Sequence, residues 1–127
     1  MVEQGNNRIQ AIQADTGTHV RFFGTGTAGD AADQLSNPYS VTLHEPASGP
    51  DNAALLFEAD TGNHRVQVFS ADTGALVRTV GTAGQAGAAV GQVSGPAGLT
   101  VHPEADGAVL LLFITEANNH RVQVFAL

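Results

Sequence analysis

The sequence predicts an all-β fold in which one structural unit is used repeatedly, and three observations carry that reading. The stretch Asp60-Thr61-Gly62-Asn63-His64-Arg65-Val66-Gln67-Val68-Phe69 recurs in altered form as Glu3-Gln4-Gly5-Asn6-Asn7-Arg8-Ile9-Gln10-Ala11-Ile12 and as Glu116-Ala117-Asn118-Asn119-His120-Arg121-Val122-Gln123-Val124-Phe125. Its arginines, Arg8, Arg65 and Arg121, are spaced 57 and 56 residues apart. Between these copies lie short apolar or alternating runs separated by Gly, Pro, Asp and Asn, with no helical period. A run such as Val109-Leu110-Leu111-Leu112-Phe113-Ile114 is apolar throughout, which is the pattern of a strand covered on both faces.

The elements follow in order. Arg8–Ile12 and His19–Phe23 read as strands joined by the Asp15-Thr16-Gly17 turn, and a glycine-rich loop, Gly24 to Asn37, then leads to Pro38. A complete unit follows. Its strands, labelled A to D, are Tyr39–His44, Ala53–Ala59, Arg65–Phe69 and Leu76–Val80. They are joined by the turn Glu45–Asn52, the hairpin Asp60–His64 and the turn Asp72-Thr73-Gly74. A second glycine-rich loop, Gly81 to Gly95, reaches Pro96. Strands A, B and C then return as Ala97–His102, Val109–Thr115 and Arg121–Phe125. The chain is thus expected to be a single array: 1–23 a partial unit of strands C and D, 38–80 a complete unit, and 96–127 a unit lacking its outer strand. Arg21 and Arg78 in the D strands suit outer edges, where charge discourages pairing between sheets. Ser40 and Gly98 in the A strands suit a crowded inner position. These gradients predict four-stranded antiparallel sheets arranged radially, with A inside and D outside.

Composition bounds the function. The chain has 127 residues, enough for one domain with a core of its own. Twelve acidic residues against five arginines, with no lysine, give a net charge of −7, which disfavours wrapping a phosphate backbone. Without cysteine there is no disulfide framework and no thiolate metal site. No basic and apolar leader and no membrane-length apolar run is present, so a soluble chain with no membrane partner is expected and its compartment stays open.

In the recurring hairpin, the acid and the arginine stand opposite each other on strands B and C. The pairs Asp60–Arg65, Glu116–Arg121 and Glu3–Arg8 are expected to brace the two strands, with the Asn in the left-handed turn conformation. The alternative is that Asn63, His64, Asn119 and His120, at neighbouring tips, contact a ligand. The tetrapeptide Ala-Asp-Thr-Gly at Ala14–Gly17, Ala59–Gly62 and Ala71–Gly74 resembles half of an aspartic-protease site, but its repetition between strands marks it as turn chemistry. Neither glycine-rich loop carries the Gly-Lys-Ser/Thr ending of a phosphate loop. Glu58 breaks the repeat, standing where the next unit has Ile114. It requires either a partner such as Arg78 or Arg65, or a face open to water.

The prolines opening the A strands (Pro38, Pro96), the acid-x-x-Asn-x-Arg hairpin, the following Val-Gln-Val-Phe and the glycine-rich loop before each Pro together resemble the NHL-repeat family of β-propellers. The resemblance covers essentially the whole chain. It implies about six blades closing a ring, of which this chain supplies two and part of a third, so either a longer array or several copies is expected. It further implies a binding or scaffolding role, with ligands taken on the face of the B–C hairpins and the loops leading into strand A. The expected partner is a protein, or the chain itself through exposed blade faces. Some NHL propellers bind RNA through an electropositive face, a role that five cations disfavour. No cofactor and no catalytic activity are expected. The resemblance also places His44 and His102 at matching points of the inner strands, along a central channel. A related propeller family, the peptidylglycine amidating lyases, uses channel histidines with zinc. The contrasting readings are therefore a metal-dependent lyase or hydrolase at that channel mouth, and a fragment with no independent function.

Overall fold

Ten strands form three antiparallel sheets in the computed structural model, which describes residues 1–46, 53–105, 107 and 109–127. The first sheet contains β1 (Val2–Glu3), β2 (Arg8–Ile12) and β3 (His19–Phe23) in that order. The central sheet is β4 (Pro38–His44), β5 (Leu55–Asp60), β6 (Arg65–Ser70) and β7 (Leu76–Val80), also in chain order. The third contains β8 (Pro96–Pro103), β9 (Leu110–Glu116) and β10 (Arg121–Ala126). Among the described residues there is no α-helix, and no helix is long and apolar enough to cross a membrane. The turn expected over 45–52 falls mostly on residues 47–52, outside the described part of the chain.

The strands lie where turn chemistry places them, and one was not anticipated. Val2–Glu3 pairs antiparallel with Ile9 and Arg8, so the first sheet holds a short B-type strand ahead of its C and D strands. Two residues are too few to show a period. The ladders β4–β5 and β8–β9 break their register at the same point, between Pro38 and Val41 and between Pro96 and Leu99. Proline has no N–H for the ladder, so each A strand can pair regularly only beyond it. The small residues inside those irregular stretches are where neighbours approach. Ser40 Oγ donates to the Ala97 carbonyl of the third sheet, and the Gly98 N–H donates to Thr115 Oγ1 at 2.6 Å.

Each sheet has two faces, and one packing rule relates them. The face of the first sheet that carries Ile9, Ala11 and Phe23 packs against Val41, Leu56 and Phe69 of the central sheet. The opposite face of the central sheet, with Phe57, Val66 and Val68, packs against Leu99, Leu112 and Ile114 of the third. Leu35 and Val93, from the two glycine-rich loops, plug these two cores in turn. The consequence shows in burial. The last four residues of β5 are all buried, whereas β10 alternates between half-buried and exposed because only one of its faces is covered.

Glu58 is the misfit. Its side chain is fully buried, and neither carboxyl oxygen has a hydrogen-bond partner. Both expectations for it are therefore corrected: it bonds neither Arg65 nor Arg78, and its face is not open to water. Its cross-strand neighbour Gln67 uses its amide N–H on the Gln34 carbonyl and leaves its own Oε1 unpartnered. Burial pushes the Glu58 carboxyl well above the usual carboxylate range. Asp60 pushes it further, and Arg65 opposes them. A carboxyl with a raised folded-state pKa binds its proton more tightly in the folded state, so stability falls as pH rises from about 4.5. Glu58→Gln removes that titration. In thermal melts its advantage over the wild type should be small near pH 4 and widen steadily toward pH 8; a gap independent of pH would contradict the assignment.

Candidate functional site

The recurring hairpin is the most densely bonded polar feature of the molecule, and its bonds run mainly to other segments. Asp60 and Arg65 face each other at the end of the β5–β6 ladder, where Arg65 Nε donates to Asp60 Oδ2 at 2.7 Å. Asn63 Nδ2 donates to the same oxygen at 2.8 Å. The second carboxylate oxygen accepts the Ser36 N–H at 2.7 Å. The far end of Arg65 then spans the preceding glycine-rich loop, donating to the carbonyls of Asp30, Ala31 and Gln34 at 2.8–2.9 Å. Asn63 adds a bond to the Gly29 carbonyl at 2.7 Å. A planar guanidinium offers five N–H donors in a fixed fork, which suits it to holding several carbonyls of one loop at once.

The third sheet repeats this arrangement. Arg121 donates to Glu116 Oε1 and to the carbonyls of Ala88 and Gln92. Asn119 donates to Glu116 and Gly87, and Glu116 Oε2 accepts the Ser94 N–H at 3.1 Å. Burial alone would raise the Glu116 carboxyl, but bonds from Gln123, Asn119, Arg121 and Ser94 outweigh it and hold the group below its ordinary range. In the first sheet Glu3 and Arg8 also pair, and that bond lowers the Glu3 carboxyl. Among the described residues no loop precedes this hairpin, and both side chains are more exposed than Asp60 and Arg65. The brace expected between strands B and C is thus a clamp on the loop that enters the same sheet.

The hairpin also reaches forward. The left-handed residues are Asn7, His64 and His120, each one position after the Asn expected there. Asn6, Asn63 and Asn119 stay in the turn so that their amides can meet the acid. Asn7 Oδ1 accepts the Asn37 N–H, and His64 Nδ1 accepts the Gly95 N–H, both at 3.1 Å; each receives the residue just before the next A-strand proline. Thr61 Oγ1 adds a bond to the Pro96 carbonyl at 2.6 Å. Of the three Ala-Asp-Thr-Gly glycines, Gly17 and Gly74 take a positive φ and Gly62 does not. It is required for space instead, because a Cβ there would lie 2.7 Å from Ser36.

Of the proposed ligand contacts, Asn63, His64 and Asn119 are therefore engaged within the chain. His120 is exposed and borders an open recess beside Ala97, Thr115 and Val122. In the central sheet the matching place is occupied by the Gly95–Pro96 corner. His44 is half-buried at the end of β4, and His102 is exposed in β8. Among the described residues no group of three or more His, Cys, Asp or Glu is placed to hold a metal ion, and none of them supplies these two imidazoles with a third ligand. The loop partners Gly29, Gln34 and Ser36 went unread in the sequence, although Gly87, Gln92 and Ser94 repeat them 58 residues on. No protein-family model matches the chain, and no curated protein matches it in sequence.

The clamps differ in burial, and their worth should differ with it. Arg65 and Asp60 are 4% and 0% exposed, so Arg65→Ala strands a buried carboxylate and should cost roughly 3–5 kcal/mol. Arg8 and Glu3 are 32% and 19% exposed, and Arg8→Ala should cost about 1 kcal/mol or less. Denaturant unfolding of the two variants measures the difference; equal losses would show that the loop clamp adds nothing to an ordinary surface pair.

Proposed function

We propose that the chain is an NHL-type β-propeller segment that works as a protein-binding and scaffolding module, each sheet being one blade. What supports this reading is the fate of the polar groups and of the apolar ones. The acids, amides and arginines of the hairpins are consumed in holding loops. The apolar surface, by contrast, is left over. Val122 and Val124 are 59% and 52% exposed, while their repeats Val66 and Val68 are buried. A contiguous apolar face of this kind is the usual mark of an interaction surface. The recess beside His120 extends it toward the hairpin edge, where the resemblance to NHL repeats puts the ligand face.

The test uses a dye that reports accessible apolar surface, 1-anilinonaphthalene-8-sulfonate, at high dilution of the protein. The wild type should bind it, and Val122→Glu with Val124→Glu should abolish most of the signal while leaving the far-UV spectrum and cooperative melting in place. A native chain that binds no dye, or a variant that binds it equally well, would remove the support for a binding face.

A further inference from the structure

We infer that Glu58 and Gln67 form a buried acid–amide pair, in which the carboxyl stays protonated and donates to Gln67 Oε1, and that this proton latches the first sheet to the central one. The two residues are opposite each other in the β5–β6 register, so their side chains stand side by side on one face. Both are fully buried, and among the described residues the three buried side-chain oxygens without a partner are Glu58 Oε1, Glu58 Oε2 and Gln67 Oε1. The amide does not turn round to meet the acid. Its nitrogen is committed to the Gln34 carbonyl at 3.3 Å, and Gln123 makes the same bond to the Gln92 carbonyl in the third sheet, where Ile114 stands in place of Glu58. The loop therefore sets the amide orientation with or without the acid, and reversing it would set two acceptors against each other. That leaves Gln67 Oε1 as an acceptor beside a carboxyl whose oxygens, when ionised, also only accept. One proton on Glu58 supplies the donor that Gln67 Oε1 lacks.

Among the described residues, no charge on the packed elements substitutes for that proton. On the same face, Asp60 and Arg65 are bonded to each other and to the loop. β4 contributes Val41 opposite Glu58, and β7 contributes Leu76 and Thr79, while Arg78 lies opposite Val68 on the other face. The loop supplies Leu35, its acids Asp30 and Asp33 being exposed. From the first sheet come Ile9, Ala11 and Phe23, with Arg21 bonded to the Asp72 carbonyl and Glu3 paired with Arg8. Glu58 thus stands with Val41 and Leu56 in the core that joins the first and central sheets, on the face opposite the core shared with the third. Burial and the neighbouring Asp60 favour the protonated carboxyl, and Arg65 opposes them. As pH rises the proton leaves for solvent, the bond to Gln67 is lost, and an unpaired carboxylate remains in that one core. The first contact should then loosen while the second stays closed.

Infrared spectroscopy reads the proton directly, because a protonated carboxyl has a carbonyl stretch separate from that of carboxylates. At about pH 6 the buried Glu116 and the paired Glu3 are ionised, since both carboxyls are held below their ordinary value. The wild type should show the band, and Glu58→Gln, or Glu58→Ile should Gln not fold, should lack it. In Gln67→Leu, or Gln67→Met should Leu not fold, the band should move to higher frequency as the O–H loses its acceptor. When pH is raised the wild-type band should fade, and by hydrogen exchange the β2 and β3 amides should lose protection before those of β9 and β10. Glu58→Gln should show no such difference, because its amide keeps a donor beside Gln67 that pH does not remove. A wild type without the band overturns the proposal. A band unmoved by loss of the Gln67 amide overturns the pairing, and equal loss of protection in all three sheets overturns the latch.

Discussion

The loops and hairpin of the central sheet are arranged around a carboxylate that is buried where strand B meets strand C. Asp60 is fully buried, and both its oxygens are used: one by Arg65 and Asn63, the other by the Ser36 N–H. An ionised carboxylate is tolerated in such a place only when its lone pairs are filled by charge-assisted bonds. Supplying those bonds draws in a whole loop. Arg65 bonds Asp60 and presents its remaining donors to the carbonyls of Asp30, Ala31 and Gln34, and the loop in turn delivers Leu35 to the core. The same hairpin then fixes the start of the next unit through His64 and Thr61. Each hairpin thus holds the loop behind it and the strand ahead of it, so the sheets are tied in series as well as stacked.

Serial ties explain why one sheet is saturated and two are not. The central sheet has a neighbour on either face, and its hairpin is engaged on both sides. The first hairpin holds the next unit through Asn7, and the third holds its own loop through Arg121. A repeat array of this kind gains stability from contacts between neighbours, and its terminal units are the ones that need covering. Val122 and Val124, exposed on the third sheet, repeat Val66 and Val68, which are buried in the middle.

Most of the fold was legible in the sequence because strand boundaries here are set by local chemistry. β2, β3 and β7 begin and end at the expected residues, since Asp-Thr-Gly turns and the recurring arginine punctuate them. Three things were not legible for physical reasons. β1 is too short to carry a period. The left-handed residue is His64 rather than Asn63 because the Asn amide is needed at the carboxylate, a long-range requirement that local turn preference does not register. Glu58 broke the repeat visibly, but whether its face was covered depended on the neighbouring sheet. The loop side of the clamp was available in principle: Gly29, Gln34 and Ser36 recur as Gly87, Gln92 and Ser94, a repeat hidden by the low complexity of the surrounding Gly and Ala.

The glycine-rich loops are structural parts of the sheets they enter, held by the hairpin acids. Native-state hydrogen exchange at the Ser36 and Ser94 amides tests it most directly, because each donates to a buried carboxylate. Protection at these two positions comparable to that of the β5 and β9 amides, within loops whose exposed residues exchange quickly, is the predicted result. Exchange at Ser36 and Ser94 as fast as at the exposed loop residues would contradict it.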